Sequence, residues 1–281
     1  MRNGRECTMK WLKRILLGLA ATLMLGVVIL YGWSEAIIRK GYSAETRAVT
    51  LSSAAEVIAE GERLAQVFGC FHGCHGKDME GDVFFEEDWV GSFYAPNLTA
   101  AVDRYSLSEL EAIIRQGVRP DGSSVVGMPS DSFSIMTDED LWAILSFISA
   151  YPKQETAAGK TSLGPLSRFG LITGEYWPAA DKARSEPWKK DVRNDTMDLG
   201  QYLAMNACSE CHGLELEGYE GFTPPLTIAK AYSLENFQKL MASGIGLGER
   251  DLGLMSLMSQ YRLKHLTDDE VAALHTYLQS L

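Results

Sequence analysis

The longest uninterrupted apolar stretch lies near the amino terminus of the chain. Residues 15–33 carry no charged side chain and are mostly Leu, Val, Ile, Ala and Gly. This length matches the roughly 20 residues that a helix needs to cross the core of a bilayer. The stretch ends in Tyr31-Gly32-Trp33, and aromatic side chains are common where a helix leaves the membrane. The pattern predicts a cytoplasmic stub and a transmembrane anchor over residues 1–40.

A cleaved signal peptide is the alternative interpretation of this segment, since it also places an apolar region after basic residues. Its apolar region is usually only about 7–15 residues long and ends at a site of small residues. Here the apolar region is longer and ends in aromatic residues, so we expect it to be retained. Five basic side chains precede it, which favours a cytoplasmic amino terminus and export of the chain after about residue 40.

Beyond the apolar segment, one pattern occurs twice along the chain. Residues 74–81 (CHGKDMEG) match residues 211–218 (CHGLELEG), and Tyr-Ser-Leu follows at 105–107 and again at 232–234. Internal similarity in the same order indicates two related structural units.

Each Tyr-Ser-Leu motif opens an amphipathic run that predicts a helix. The two runs cover residues 106–116 and 233–243, and they end at Gly117 and Gly244. Glycine is the residue that most often terminates a helix, because it adopts the left-handed conformation without strain.

Two further helices are predicted in each unit. Thr137 and Thr267 begin sequences that resemble capping boxes, a hydroxyl followed three residues later by a carboxylate. They predict the last helix of each unit, over residues 138–150 and 268–280, with apolar residues at helical spacing. Good helix formers predict a helix before each cysteine pair as well, over residues 54–68 and 197–205.

Neither unit shows convincing strand alternation, so the expected fold class is all-α, with two domains over residues 50–152 and 195–281. Residues 153–194 between them form the predicted linker, which contains Gly164-Pro165, Trp177-Pro178 and Glu186-Pro187-Trp188. The linker is long for a connection, and we expect it to pack over the domains.

The charge of the chain is distributed unevenly. Residues 1–14 carry a net charge of +4, so the rest of the chain carries −15 within the overall −11. Such a body is repelled by nucleic acid and by anionic lipid heads, and it is attracted to basic patches on protein partners. Solubility alone explains the same charge.

Cysteine and histidine spacing points to a covalently bound cofactor. Cys208, Cys211 and His212 have the Cys-x-x-Cys-His spacing of haem c attachment, in which two thiols join the porphyrin and the histidine binds the iron. A zinc knuckle would need two further thiolate or imidazole ligands nearby. In an oxidising compartment the cysteine pairs could also form disulfides. Cys7 precedes the membrane segment and is expected to be an idle thiol.

The first unit departs from this spacing by one residue. Cys70 and Cys74 are separated by three residues, and His75 follows directly. We expect haem attachment here too, with the extra residue looped out at Gly73, whose backbone freedom permits it. Whether one or two thioether bonds form is left open.

The sixth iron ligand is expected to be a methionine, which is common in electron-transfer haems. In the first unit Met128 lies in Gly127-Met128-Pro129 between two helices, and a buried packing role is its alternative. Counting from the helix-ending glycine selects Met255 in the second unit, whereas counting back from the capping threonine selects Met258. We prefer Met255, with His265 as a weaker candidate.

Several other residues have ordinary interpretations. Met136 is expected in the core, and His72 and His275 are expected on the surface or in packing. Three aromatic side chains could wall the first haem, although an ordinary core would use them equally well: Trp89, Phe93 and Tyr94.

In these residues the chain resembles the class I cytochromes c, in the tandem dihaem form found as membrane-anchored carriers or as cytochrome subunits of dehydrogenase complexes. The resemblance covers residues 50–152 and 195–281 and implies two covalently bound haem c groups. In that family a proline carbonyl faces the iron-binding histidine. By similarity Pro96 and Pro224 would do so here, fixing each ring.

The resemblance implies electron transfer rather than catalysis. Single electrons would pass from a membrane respiratory or dehydrogenase complex to a periplasmic or oxidase acceptor. The chain would lie in the bacterial inner membrane with its haem domains in the periplasm. Its partners would be membrane lipid and redox proteins with basic docking patches, and nucleic acid is excluded. A dihaem peroxidase is the alternative, but it would need an open distal iron position and acid–base residues over it.

Overall fold

The computed structural model of the chain describes residues 2–184 and 197–281, with side chains from Met9 onward. The Glu186-Pro187-Trp188 part of the predicted linker, and the predicted start of the second domain at 195, lie outside these ranges. The described chain is mainly helical and forms two helical units after one long amino-terminal helix, as the sequence predicts.

The amino-terminal helix α1 covers Arg2–Ile38 and extends beyond the predicted apolar run at both ends. Its Met9–Ile38 portion is long and apolar enough to cross a membrane, with a mean hydropathy of 2.4 in its most apolar window. No residue of that window is buried within the described chain, and its apolar side chains, such as Leu17 and Leu23, are exposed.

The first unit is built from five helices and a hairpin of two strands. In chain order these elements are α2 (Ala55–Val67), β1 (Asp82–Glu87), β2 (Gly91–Ala95), α3 (Leu98–Arg104), α4 (Leu107–Gln116), α5 (Ser130–Phe133) and α6 (Asp138–Ala150).

The second unit repeats this helical plan. Helix α9 (Leu199–Leu203) continues through a π-helical turn (Ala204–Cys208) into α10 (Ser209–His212). The remaining elements are a 3-10 helix (Leu226–Ala231), α11 (Leu234–Ser243), short strands β4 (Ile245–Gly246) and β5 (Arg250–Asp251), α12 (Leu254–Tyr261), a 3-10 turn (Leu263–His265) and α13 (Asp268–Ser280).

The first and last helices of each unit cross in close contact at a glycine. A Cβ atom at Gly61 of α2 would lie 2.0 Å from the backbone oxygen of Ala143 in α6. A Cβ atom at Gly200 of α9 would lie 2.2 Å from the backbone oxygen of Ala273 in α13. Both backbones can approach this closely only because glycine has no side chain.

The predicted helix ends agree with the structure. Ser106 and Thr267 form complete capping boxes with Glu109 and Glu270. Thr137 caps α6 through the backbone N–H of Asp140, but the box is incomplete because the Asp140 carboxylate accepts a hydrogen bond from Tyr202 instead.

Gly117 and Gly244 end α4 and α11 in the left-handed conformation, with φ of 66° and 76°. Both predicted helix ends are therefore confirmed. A Cβ atom at Gly244 would also lie 2.4 Å from the Ser256 carbonyl oxygen, so this turn sits tightly against the start of α12.

Contrary to expectation, both units contain short strands: the first has the β1–β2 hairpin, and the second has the paired two-residue strands β4 and β5. Strands β1 and β2 pair antiparallel, with Val83 opposite Tyr94 and Phe85 opposite Phe93. The register shifts between Val83 and Phe85, so the alternation that marks a strand in sequence is interrupted.

The described part of the predicted linker packs over the first unit. It contains β3 (Ser162–Leu163), which pairs with β2, and two short helices, α7 (Pro165–Thr173) and α8 (Ala179–Lys182). Before β3, the backbone N–H of Ala157 donates to the Glu80 carbonyl, so this segment runs across the hairpin side of the unit.

The two units share an interface. Arg63 of α2 donates to both carboxylate oxygens of Glu270 in α13, at 2.8 and 2.9 Å, and to the His265 carbonyl. Ser132 and Ser209 are buried, and their hydroxyls lie 2.8 Å apart. The apolar core runs without interruption from one unit into the other.

Substituting Gly61→Ala or Gly200→Ala is expected to destabilise the protein by about 1–3 kcal/mol, because each new methyl group overlaps the facing helix backbone. Alanine is a better helix former than glycine by about 1 kcal/mol. The substitutions would therefore increase the stability of the protein if the two helices could move apart. Thermal unfolding followed by circular dichroism measures the change.

Gly41→Ala is the matched control, since no atom lies within 4 Å of a Cβ placed there. Equal melting temperatures for Gly41→Ala and the two crossing variants would contradict the packing argument.

Candidate haem-binding sites

In the second unit, the Cys-x-x-Cys-His segment lies along one helical stretch. The π-helical turn ends at Cys208, and α10 carries Cys211 and His212. All three side chains border one cavity of about 400 Å³. Its other walls are mostly apolar and include Leu226, Tyr232, Phe237, Leu240 and Leu274.

The His212 ring is held by a backbone carbonyl. Its Nδ1 lies 2.8 Å from the Pro224 oxygen, and because a carbonyl can only accept, Nδ1 carries the hydrogen. Burial lowers the pKa of His212, against the smaller effect of this hydrogen bond. The neutral ring therefore has its Nε2 lone pair available for a metal.

Met255 and Met258 both border the same cavity, because they lie one turn apart on α12. The Met258 sulfur contacts the Arg262 guanidinium at 4.0 Å, whereas the Met255 sulfur makes no such contact with the residues that the structure describes. His265 does not border the cavity.

In the first unit, Cys70, Cys74 and His75 border a second cavity, of about 190 Å³. His75 Nδ1 lies 2.7 Å from the Pro96 oxygen, and burial lowers the pKa of this ring as well. The geometry of histidine and proline is thus the same in both units.

The extra residue of the first attachment segment is accommodated at Gly73. Its φ is 104°, and no atom lies within 4 Å of a Cβ built there, so the loop bulges into open space. Cys70 and Cys74 both still border the cavity.

Met128 borders the first cavity and lies just before α5, between Gly127, which has a φ of 77°, and Pro129. Met136 is 3% exposed and belongs to the core, as predicted. His72 stacks on Tyr261 with ring centroids 4.7 Å apart.

The remaining predictions concern His275 and the three aromatic residues considered as walls of the first site. His275 Nε2 lies 2.9 Å from the Tyr232 carbonyl oxygen, a packing contact. Of the aromatic residues proposed as walls of the first site, Tyr94 borders the cavity, while Phe93 packs on Phe85 beside it. Trp89 is 66% exposed at the hairpin turn and does not border the cavity, so it serves neither of the two roles considered for it.

The shared Gly-x-x-x-Glu-Gly sequence after each histidine has a structural role that sequence reasoning missed. The Gly81 N–H donates to the His75 carbonyl at 2.9 Å, and Gly218 donates to His212 at 2.8 Å. The loop after each histidine is thereby closed. The identical spacing in both units was the available signal.

The four cysteines are free thiols in an apolar environment. Burial raises the pKa of Cys70, Cys74 and Cys208 to about 12 and that of Cys211 to about 11. The thiols are therefore protonated in this structure, and they are the groups that would form thioether bonds to the vinyl groups of a haem.

The residues fit a haem c group in each unit. Each cavity has apolar walls, two thiols, an imidazole whose Nε2 is available, and at least one methionine thioether. The thiols would join the porphyrin, and the imidazole and thioether are the donors that would hold the iron.

The two cavities adjoin at their cysteine sides. Glu210, between the cysteines of the second unit, borders the cavity of the first. Arg262 borders the cavity of the second unit and donates to the Val67 carbonyl of the first.

Comparison with curated proteins finds cytochrome subunits of dehydrogenases. The chain is 24% identical over 296 aligned residues to the fructose dehydrogenase cytochrome subunit of Gluconobacter japonicus, which covers 94% of the chain and 59% of that protein. It is 22% identical to the cytochrome c subunit of the quinone alcohol dehydrogenase of Gluconobacter oxydans, over 78% of the chain and 53% of that protein.

The gluconate 2-dehydrogenase cytochrome c subunit of Pantoea cypripedii is 23% identical over 80% of the chain and 59% of its own length. The chain thus spans little more than half the length of these relatives. The family model described as cytochrome c matches residues 58–151 and again 197–281, which together are more than half of the chain. With two such matches on the two helical units that hold the Cys-His segments, the chain belongs to the cytochrome c family.

Proposed function

We propose that the protein is a membrane-anchored dihaem cytochrome that passes single electrons as the cytochrome subunit of a dehydrogenase complex. The observation that carries this proposal is the pair of adjoining cavities, each bordered by two cysteines, a histidine and a methionine. The relatives, which are cytochrome subunits of dehydrogenases, support it.

The chain's own residues would hold and tune the two groups. Cys70 and Cys74 would bind the first haem, and Cys208 and Cys211 the second. The iron, when bound, supplies a reversible one-electron couple. His75 and His212 would be its proximal ligands, oriented by the carbonyls of Pro96 and Pro224. A hydrogen bond from an iron-binding histidine to a backbone carbonyl fixes the orientation of the ring and its tautomer.

Met128 and Met255 are the proposed sixth ligands, and methionine ligation raises the reduction potential. We prefer Met255 to Met258 because the Met258 sulfur already contacts Arg262. A methionine at each cavity disfavours the peroxidase alternative, which needs an accessible distal position. The relatives do not support that alternative either.

Helix α1 is the proposed membrane anchor, with its amino terminus in the cytoplasm and the two haem domains in the periplasm. Linker helix α7 packs against its last turns. Arg168 donates to the Ser34 hydroxyl at 2.9 Å and to Glu35 at 3.2 Å, and its guanidinium lies over the Tyr31 ring. These contacts would hold the first domain in a fixed orientation at the membrane surface.

The partner is proposed to be a dehydrogenase catalytic subunit with basic patches. The net charge of −15 after residue 14 would attract such a surface over roughly a Debye length, about 8 Å at physiological salt. The acceptor would be a periplasmic protein or an oxidase.

The variant Cys70→Ala is expected to retain the first haem through Cys74 alone, because His75 and the cavity walls are unchanged. Denaturing mass spectrometry should show two covalently bound haems, and the visible spectrum should show the altered absorption of a single-thioether haem. An unchanged spectrum would mean that Cys70 forms no bond in the wild type. Complete loss of the first haem would contradict attachment through Cys74.

The variant Met255→Leu is expected to abolish the methionine-to-iron charge-transfer band of the second haem and to lower its potential, since leucine has no sulfur to bind iron. Met258→Leu is the matched control on the same helix face and should keep the band. The opposite result would assign Met258 as the ligand.

The full chain is expected to remain in the membrane fraction after washing with high salt and with alkaline carbonate, because an apolar spanning helix does not depend on charge. A chain without residues 1–40 should be recovered in the soluble fraction. Release of the full chain by salt alone would exclude the anchor.

A further inference from the structure

Arg262 is an arginine buried at the junction of the two haem-binding units. It follows α12, and its side chain is only 6% exposed. Its Nε donates to the Val67 carbonyl of the first unit at 3.2 Å, and its Nη1 donates to the Glu210 carboxylate of the second unit at 3.1 Å. One guanidinium therefore connects both units.

One of these hydrogen bonds ends just before the first haem-attachment segment, and the other reaches the second segment itself. Val67 precedes Cys70 by three residues, and Glu210 lies between Cys208 and Cys211. The guanidinium also lies directly against the first segment, since a Cβ atom at Gly69 would come within 2.8 Å of its central carbon. The left-handed Gly69, with a φ of 79°, leaves the room that the guanidinium occupies.

The positive charge of Arg262 lies beside the attachment cysteines of both units. Its guanidinium is next to Gly69, which directly precedes Cys70, and its Nη1 pairs with Glu210, which lies between Cys208 and Cys211. The four attachment points thus lie within the field of a single charge.

The charge of Arg262 is only partly balanced. Its recorded ion pair is with Glu210, whose side chain is 23% exposed and therefore better screened by water. Its Nη2 is buried and has no hydrogen-bond partner among the described residues. Burying an incompletely paired charge costs free energy. Joining the two units therefore does not by itself explain why this buried residue is charged.

We propose that Arg262 is a positioning residue that sets the reduction potentials of both haems and holds their attachment segments face to face for electron transfer between them. This inference rests on the proposed dihaem function. Reduction adds one negative charge to an iron site, and a nearby positive charge in a medium of low dielectric constant stabilises that state. Because Arg262 lies between both segments, it raises both potentials.

The test compares variants of the full-length protein, purified in detergent with its haems, by spectroelectrochemical titration. Arg262→Met keeps the length and apolar stem but removes the charge. It is expected to reduce the electron affinity of each haem about tenfold, which lowers each potential by about 59 mV. Arg262→Lys keeps the charge. It should therefore change each potential by no more than about a third of the shift expected for Arg262→Met.

Arg63→Met is the matched control, because Arg63 also joins the two units, through Glu270 and the His265 carbonyl, but it borders neither cavity. It should weaken the interface without moving either potential. Glu210→Gln removes the opposing charge and should raise both potentials, so the proposal remains testable if Arg262→Met fails to fold.

The inference is overturned if Arg262→Met leaves both potentials unchanged, if Arg63→Met lowers them equally, or if Glu210→Gln lowers them. Equal shifts in Arg262→Met and Arg262→Lys would also overturn it, since packing rather than charge would then be responsible. A haem count below two in the wild type would instead refute the proposed function, whatever the variants show.

Discussion

Each unit depends on the close crossing of its first and last helices. At Gly61 and at Gly200 the backbone of one helix touches the carbonyl of the other, with no side chain between them. The first helix of each unit leads directly into its cysteine segment, so this contact fixes where the thiols and the histidine can lie. The apolar residues around the crossing form the floor of each cavity, among them Leu145 and Leu274.

Within each unit, short-range hydrogen bonds then orient the functional groups. The proline carbonyls hold the two histidine rings, and Gly81 and Gly218 close the loops that follow them. These bonds are the same in both units although the cysteine spacing differs. The first segment accommodates its extra residue at Gly73, which precedes His75 and so lies outside the loop that Gly81 closes. The insertion is therefore compatible with an unchanged histidine position.

The arrangement of the two units is as informative as either one alone. Their cysteine sides meet at a buried interface that contains Arg262, Glu210 and the Ser132–Ser209 hydroxyl pair. A cofactor bound at one site would thus lie next to its counterpart, which is what transfer of single electrons requires. The linker helix α7 joins the first unit to the end of α1, so the orientation of the pair relative to the apolar helix is also restricted.

The sequence by itself determined the local features, because their causes are local. Hydroxyl caps placed the helices over 138–150 and 268–280, terminal glycines placed the ends of the helices before Gly117 and Gly244, and the spacing of cysteine and histidine marked both candidate sites. Only the tertiary structure revealed the β1–β2 hairpin, whose bulge interrupts the alternation of its side chains. It also brought Met255 and Met258 to the same cavity, since both lie on one face of α12. Arg262 had no sequence signal at all: its proposed role rests on its contact with Val67, 195 residues away, and only folding brings residues so distant in the chain together.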